Sequence, residues 1–251
     1  GHEDDDVLAH LRQLPAEQIL DKVQARLPIA VNGHLLRDFP AEIFSSGTHN
    51  QVPTIAGTNR DEGTMFQPAK LPESVEDFKK AQVSNFGDDT ARVVDFYLAE
   101  QDSKLRRTMI QMITDCWFVH PARQFVRSIS EHGPVWMYHF ERQSPIWPWL
   151  GAAHAAEIGF VFNTIDRSKL KPADEEIAEA MITYWVQFAK TGDPNVDGLQ
   201  SWPSYDCQQD QHLTIDATMK IDSGLRCDAC DVLDTVRSRN NQPAKILESV
   251  E

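Results

Sequence analysis

Two residues in this chain could between them move a proton: Glu62 and His154. Glu62 lies in Asn59-Arg60-Asp61-Glu62-Gly63, directly after the apolar run Val52-Pro53-Thr54-Ile55-Ala56-Gly57-Thr58. A carboxylate in the turn after a buried strand sits on the face where open α/β sheets place their sites. Gly63 lets the backbone turn sharply behind it. The same sequence is also ordinary solvated turn chemistry. His154 lies in Gly151-Ala152-Ala153-His154-Ala155-Ala156-Glu157, where small neighbours leave room for an imidazole. On a loop between a strand and a helix it could serve as a general base; taken alone, it could equally be a hydrogen-bonded structural histidine. The pair is more specific than either member. An acid after one late strand and a histidine after the next follow the chain order of a nucleophile-acid-histidine triad.

Positioning them falls to the elements on either side. Residues 52–58 read as a short buried strand, and Val135–Phe140 as a second, apolar enough to be covered on both faces. Between them a helical region from Ser74 to Ala99 breaks near Gly87-Asp88-Asp89. Lys104–Ser128 carries Met109, Met112, Ile113, Cys116 and Val119 at spacings of three and four, a long amphipathic helix interrupted at Pro121. Residues 7–26 read as helix broken near Pro15, and Asn32-Gly33 marks a turn in the loop from Pro28 to Pro40. Asp174–Lys190 is the clearest helix, with the stripe Ile177, Met181, Tyr184, Trp185 and Phe188, stopped by Gly192-Asp193-Pro194. Short strands near His212–Ile215 and Met219–Ile221 and a helix after Gly224 follow. The alternation means α/β architecture. With no repeat and no linker-like stretch, the reading is a single domain over residues 1–251.

Composition narrows the partners. The chain has 251 residues, 24 Lys and Arg against 38 Asp and Glu, and a net charge of −14. Nucleic-acid binders neutralise phosphates with clustered cations, so nucleic acid is excluded as a general partner. The same balance argues against an anionic membrane surface. No apolar run is long enough for a membrane span; the richest, Ile146–Ala156, is interrupted by Pro148, Gly151 and His154.

Four segments together resemble one family. Residues 52–66, ending Asn59-Arg60-Asp61-Glu62-Gly63-Thr64-Met65-Phe66, resemble the acid motif of type B carboxylesterases, the cholinesterase-like branch of the α/β hydrolases. His154-Ala155-Ala156-Glu157-Ile158-Gly159-Phe160-Val161-Phe162 is similar to their histidine motif. Residues 184–195 with Trp202-Pro203-Ser204-Tyr205 resemble a helix-end signature, and Thr114-Asp115 with Phe118 and Pro121 a further helix motif. The landmarks run in family order from about Pro28 to Leu225. The resemblance implies the C-terminal half of an α/β-hydrolase fold, with late strands of the central sheet and flanking helices. It implies ester hydrolysis by a Ser-His-Glu mechanism without cofactor or metal, with His154 as base and Glu62 as its orienting acid. Trp117, Phe118, Trp147 and Trp149 become candidate walls of an aromatic pocket for a small-molecule ester, although each could equally be core. A secreted or extracytoplasmic setting is suspected from the resemblance.

The departures matter as much. Ala155 stands where the family usually has Gly, a change that costs little unless the backbone there needs a positive φ. Asn32-Gly33 stands where the family usually has Asp-Gly. Gly-x-Ser-x-Gly is absent, as is a Gly-rich oxyanion loop. The expectation is therefore a C-terminal portion whose nucleophile belongs to an N-terminal part, its partner, and which alone does not hydrolyse esters. The competing reading is a non-catalytic, cholinesterase-like adhesion or interaction module, which would have no need of a Glu and a His so placed. Cys227-Asp228-Ala229-Cys230 lacks the second pair a zinc site requires. His154-x-x-Glu157 likewise has no repeat on another helix, so no metal is expected. Cys116, Cys207, Cys227 and Cys230 read as free thiols or a local 227–230 or 207–227 pair. The resemblance places Cys230 near a disulfide position of some relatives, but the partner position holds His120, which argues against that bridge.

Overall fold

The computed structural model describes residues 4–22, 30–101 and 104–240, which fall into two compact units, residues 1–43 and 44–251. In the smaller unit α1 (Asp4–Gln13) and α2 (Ala16–Lys22) flank Pro15, whose ring cannot continue a helix. The helix expected through residues 23–26, and Pro28 of the following loop, lie outside the described residues. Asn32-Gly33 forms the expected turn, with Asn32 Oδ1 accepting from the N–H groups of His34 and Leu35 at 3.0 Å each. A short helix without a periodic signal of its own, α3 (Pro40–Ser45), comes next in the chain.

The larger unit is built on a four-stranded sheet in the order β1-β2-β3-β4. β1 (Thr54–Asn59) runs parallel to β2 (Val135–Phe140), from the pair Thr54–Val135 to the pair Asn59–Phe140. β3 (Gln211–Ile215) is parallel to β2, and β4 (Lys220–Ser223) folds back antiparallel on β3. Parallel neighbours require crossovers. Those here are α4 (Val75–Phe86), α5 (Thr90–Glu100), α6 (Leu105–Thr114) and α7 (His120–Ser130) between β1 and β2, then α8 (Ile158–Val161) and α9 (Pro172–Thr191) between β2 and β3. α10 (Cys227–Asn240) follows β4.

The sequence-level breaks fall where glycine and proline demand them. A single 3-10 turn at Gly87–Asp89 separates α4 from α5. The interruption at Pro121 takes the form of a π-turn over Asp115–Val119 that joins α6 to α7. Pro121 has no N–H to offer the carbonyl of Trp117, so the helix loosens in the turn before it.

β2 is covered on both faces, and its side chains alternate between two cores. Trp136 and Phe140 pack with Phe160 of α8 and Ile177, Met181 and Tyr184 of α9. Val135 and Met137 pack with Val119, Val126 and Ile129. That two-sided burial is why the strand reads as a continuous apolar run. β1 is less buried than its apolar run suggests: only Thr58 and Asn59 are buried, and Val52 before it is 61% exposed. In the observed order it has a strand neighbour on one side only. Among the described residues no helix is long and apolar enough to cross a membrane.

Candidate active site

Because β1 and β2 are parallel and in register, both release their chains at the same edge of the sheet. Arg60 N–H still bonds the carbonyl of Phe140 at 2.9 Å, one step past the end of the ladder. Glu62 then opens a 3-10 turn, Glu62–Met65, and its side chain turns inward to 6% exposure. The turn is pressed against α6. Gly63 donates its N–H to the buried Thr114 Oγ1 at 2.9 Å, and a Cβ on Gly63 would overlap the carbonyl oxygen of Ile110. Glycine is required there by close approach, which is more specific than the sharp turn the sequence suggested.

His154 arrives from the long exit of β2. Its Nδ1 lies 2.7 Å from Glu62 Oε2, while Asn59 N–H donates to Glu62 Oε1 at 2.8 Å. Each carboxylate oxygen thus has one partner. Burial pushes the Glu62 carboxyl above its ordinary value; the Asn59 N–H and His154 pull it back, and the Glu157 carboxylate adds to the rise. The His154 side chain is 46% exposed, and its Nε2 carries no hydrogen bond among the described residues. Two neighbouring rings, 5.4 Å from each other, pack against the imidazole: Phe66 at 5.2 Å, edge to face, and Phe118 at 5.1 Å, tilted. One ring nitrogen is therefore bound to a buried carboxyl group, and the other is without a hydrogen bond among the described residues. An imidazole held through one nitrogen can exchange a proton at the other.

The aromatic candidates divide. Phe118 touches the imidazole, and Trp117 is one ring removed, 5.6 Å from Phe66. The loosened π-turn carries both. Trp147 and Trp149 are 54% and 75% exposed, and no ring contact ties them to this cluster among the described residues. Three participants went unassigned by sequence reasoning. Phe66 lies four residues after Glu62 within the same motif. Asp61 and Asn59 both reach the segment before His154: Asp61 Oδ2 accepts from Ala152 N–H at 2.8 Å, and Asn59 Nδ2 donates to the Ala153 carbonyl at 2.8 Å and to Glu157. Their signal was proximity to Glu62, but a turn rich in polar residues does not say which of them bonds across the sheet edge.

Ala155 meets the condition under which its place in a glycine position carries a cost. Its φ is +65°, so this backbone does occupy the left-handed region where glycine is at ease. The four cysteines are free; Cys227 is exposed, and Cys230, on the same helix, is buried.

The architecture is shared with solved structures of PNB esterase, one of which matches with a TM-score of 0.72 and 25% identity over 90% of this chain and 50% of that chain. The fold is thus the α/β-hydrolase fold, represented by late strands and their helices. The profile of the carboxylesterase family matches residues 1–233, and the chain belongs to that family. It is similar to para-nitrobenzyl esterase of Bacillus subtilis (strain 168), 30% identical over 202 residues, which cover 77% of this chain and 40% of the relative. It is also similar to acylcarnitine hydrolase of Rattus norvegicus, 28% identical over 231 residues, 83% of this chain and 41% of the relative. The chain therefore spans about two fifths of the length of the curated relatives it matches.

Proposed function

We propose that this chain supplies the base and the acid of a serine carboxylesterase, whose serine lies on a part of the protein outside these 251 residues. The observation that carries the reading is the 2.7 Å contact of His154 Nδ1 with a buried carboxylate, while Nε2 stays open. With Glu62 ionised, Nδ1 keeps its proton and Nε2 is the basic nitrogen. Nε2 takes the proton of the serine hydroxyl as its oxygen bonds to the ester carbonyl carbon. Glu62 stabilises the imidazolium so formed. The same proton passes to the alkoxide oxygen as the carbonyl–oxygen bond breaks and the alcohol leaves. Water then repeats the sequence on the acyl-enzyme and releases the acid. Phe66, Phe118 and Trp117 form an apolar wall beside the imidazole, suited to an uncharged carboxylic ester.

Alone, this chain is expected to be silent toward esters. The test is co-expression with the upstream part of its parent protein, read by p-nitrophenyl ester hydrolysis and fluorophosphonate labelling. Turnover in the reassembled protein that His154→Ala abolishes supports the reading. Equal turnover by the isolated chain, or labelling indifferent to that substitution, sinks it.

A further inference from the structure

His154 is not held by regular structure. Residues 151–157 form bends and turns, and the left-handed Ala155 follows the histidine directly. Gly151 is tied to its own loop, its N–H to the Pro148 carbonyl at 3.1 Å and its carbonyl to the Ser144 N–H at 2.9 Å, while the next two residues are held from the β1 exit. Asp61 bridges to Ala152 with two bonds, its N–H to the Ala152 carbonyl at 2.9 Å and its Oδ2 from the Ala152 N–H at 2.8 Å. Arg60 Nε lies 3.1 Å from the same oxygen. Gly151 has φ +69°, and a Cβ there would overlap the Asp61 carboxylate, so the segment is cut to fit that side chain. Asn59 takes hold of the next residue through the Ala153 carbonyl. The two residues before the histidine are thus bonded by the chain leaving β1, which also carries its carboxylate partner, and Gly151 leaves room for the Asp61 side chain.

We propose that Asp61 is a positioning residue for His154: its carboxylate fixes the 151–153 backbone so that the imidazole meets Glu62. The proposal rests on the reading of Glu62 and His154 as acid and base, but its first test does not. In the 251-residue chain with 15N-labelled histidine, the Nδ1 proton of His154 gives a downfield signal that His154→Ala removes. Asp61→Ala is expected to lose that signal. Asp61→Asn, whose side-chain oxygen can still accept from Ala152 N–H, is expected to keep it. Gly151→Ala, which leaves the carboxylate intact but displaces it, should lose the signal as well, and it decides the matter if Asp61→Ala fails to fold. A folded Asp61→Ala or Gly151→Ala chain that keeps the signal overturns the proposal. In the parent protein, Asp61→Ala should lower kcat by about a hundredfold with little change in KM, as expected for a base displaced by about an ångström. Asp61→Asn should restore most of the loss. Full turnover by His154→Ala in the parent would remove the functional reading, while the proton signal would still decide the role of Asp61.

Discussion

The His154 Nδ1 and the Glu62 Oε2 are 92 residues apart in sequence and 2.7 Å apart in space. Their partnership is lopsided, since the carboxylate is 6% exposed and the imidazole 46% exposed. The carboxyl group sits in the protein and the imidazole is half exposed. Such a carboxylate is costly to ionise where it stands, which links proton transfer to stability.

Glu62→Gln should therefore stabilise the chain while disabling the site. The folded state raises the Glu62 pKa, so the neutral acid contributes stability that is fully present below the unfolded value of 4.5 and lost as pH rises through the folded value. Thermal melts of the two chains should coincide in acid and separate above it, with the Gln form melting higher at pH 7. In the parent protein the amide would favour the wrong imidazole tautomer, and kcat should fall by roughly 10⁴-fold.

Ala155→Gly should also stabilise. An alanine at φ +65° carries left-handed strain of about 1–2 kcal/mol, against which glycine loses about 0.4–1 kcal/mol through its looser unfolded chain. Denaturant unfolding should show a net gain of about 0.5–1 kcal/mol. A loss would mean that the methyl group makes contacts worth more than the strain.

Thr114→Val tests the seat of the Glu62 turn. Valine fills the same volume but cannot accept from Gly63 N–H, leaving a buried donor unmatched. The expected loss is about 1–3 kcal/mol by urea denaturation. Serine at the same position keeps the acceptor and should recover part of it.

Acid should destabilise the sheet through His139. Burial drives its pKa from 6.5 down to about 3, with His212 and Arg60 adding to the fall, and Thr58 Oγ1 lies 3.2 Å from its Nδ1. The neutral ring contributes stability that is complete above 6.5 and declines as pH drops toward 3. His139→Asn, which can place an amide group near Nδ1, should flatten the stability profile across that window in pH-dependent melts.

Much of the fold was legible because each signal is local. Two-sided burial makes Val135–Phe140 a continuous apolar run, and Gly87 and Pro121 break helices by their own covalent chemistry. Glu62 and His154 could be paired from chain order, since parallel strands deliver their exits to one edge. The bonds from Asp61 and Asn59 were not legible, because they depend on which residues of two loops meet after the sheet has formed. The left-handed turn at Ala155 was hidden for a similar reason, since alanine does not advertise a positive φ.

The π-turn at Asp115–Val119 acts as a change of phase in one long helical segment. Ahead of it, Met109 and Met112 belong to a core shared with α4, α5 and α10; from its last residue onward, Val119, Val126 and Ile129 belong to the core beneath β2. One residue corresponds to about 100° of an ideal helix. Deleting one residue here would leave either of those two cores correctly faced, but not both, and would swing Trp117 and Phe118 around the axis. The aromatic wall beside His154 is thus tied to the counting of residues in a helix, and single-residue deletions should be tolerated less well here than substitutions.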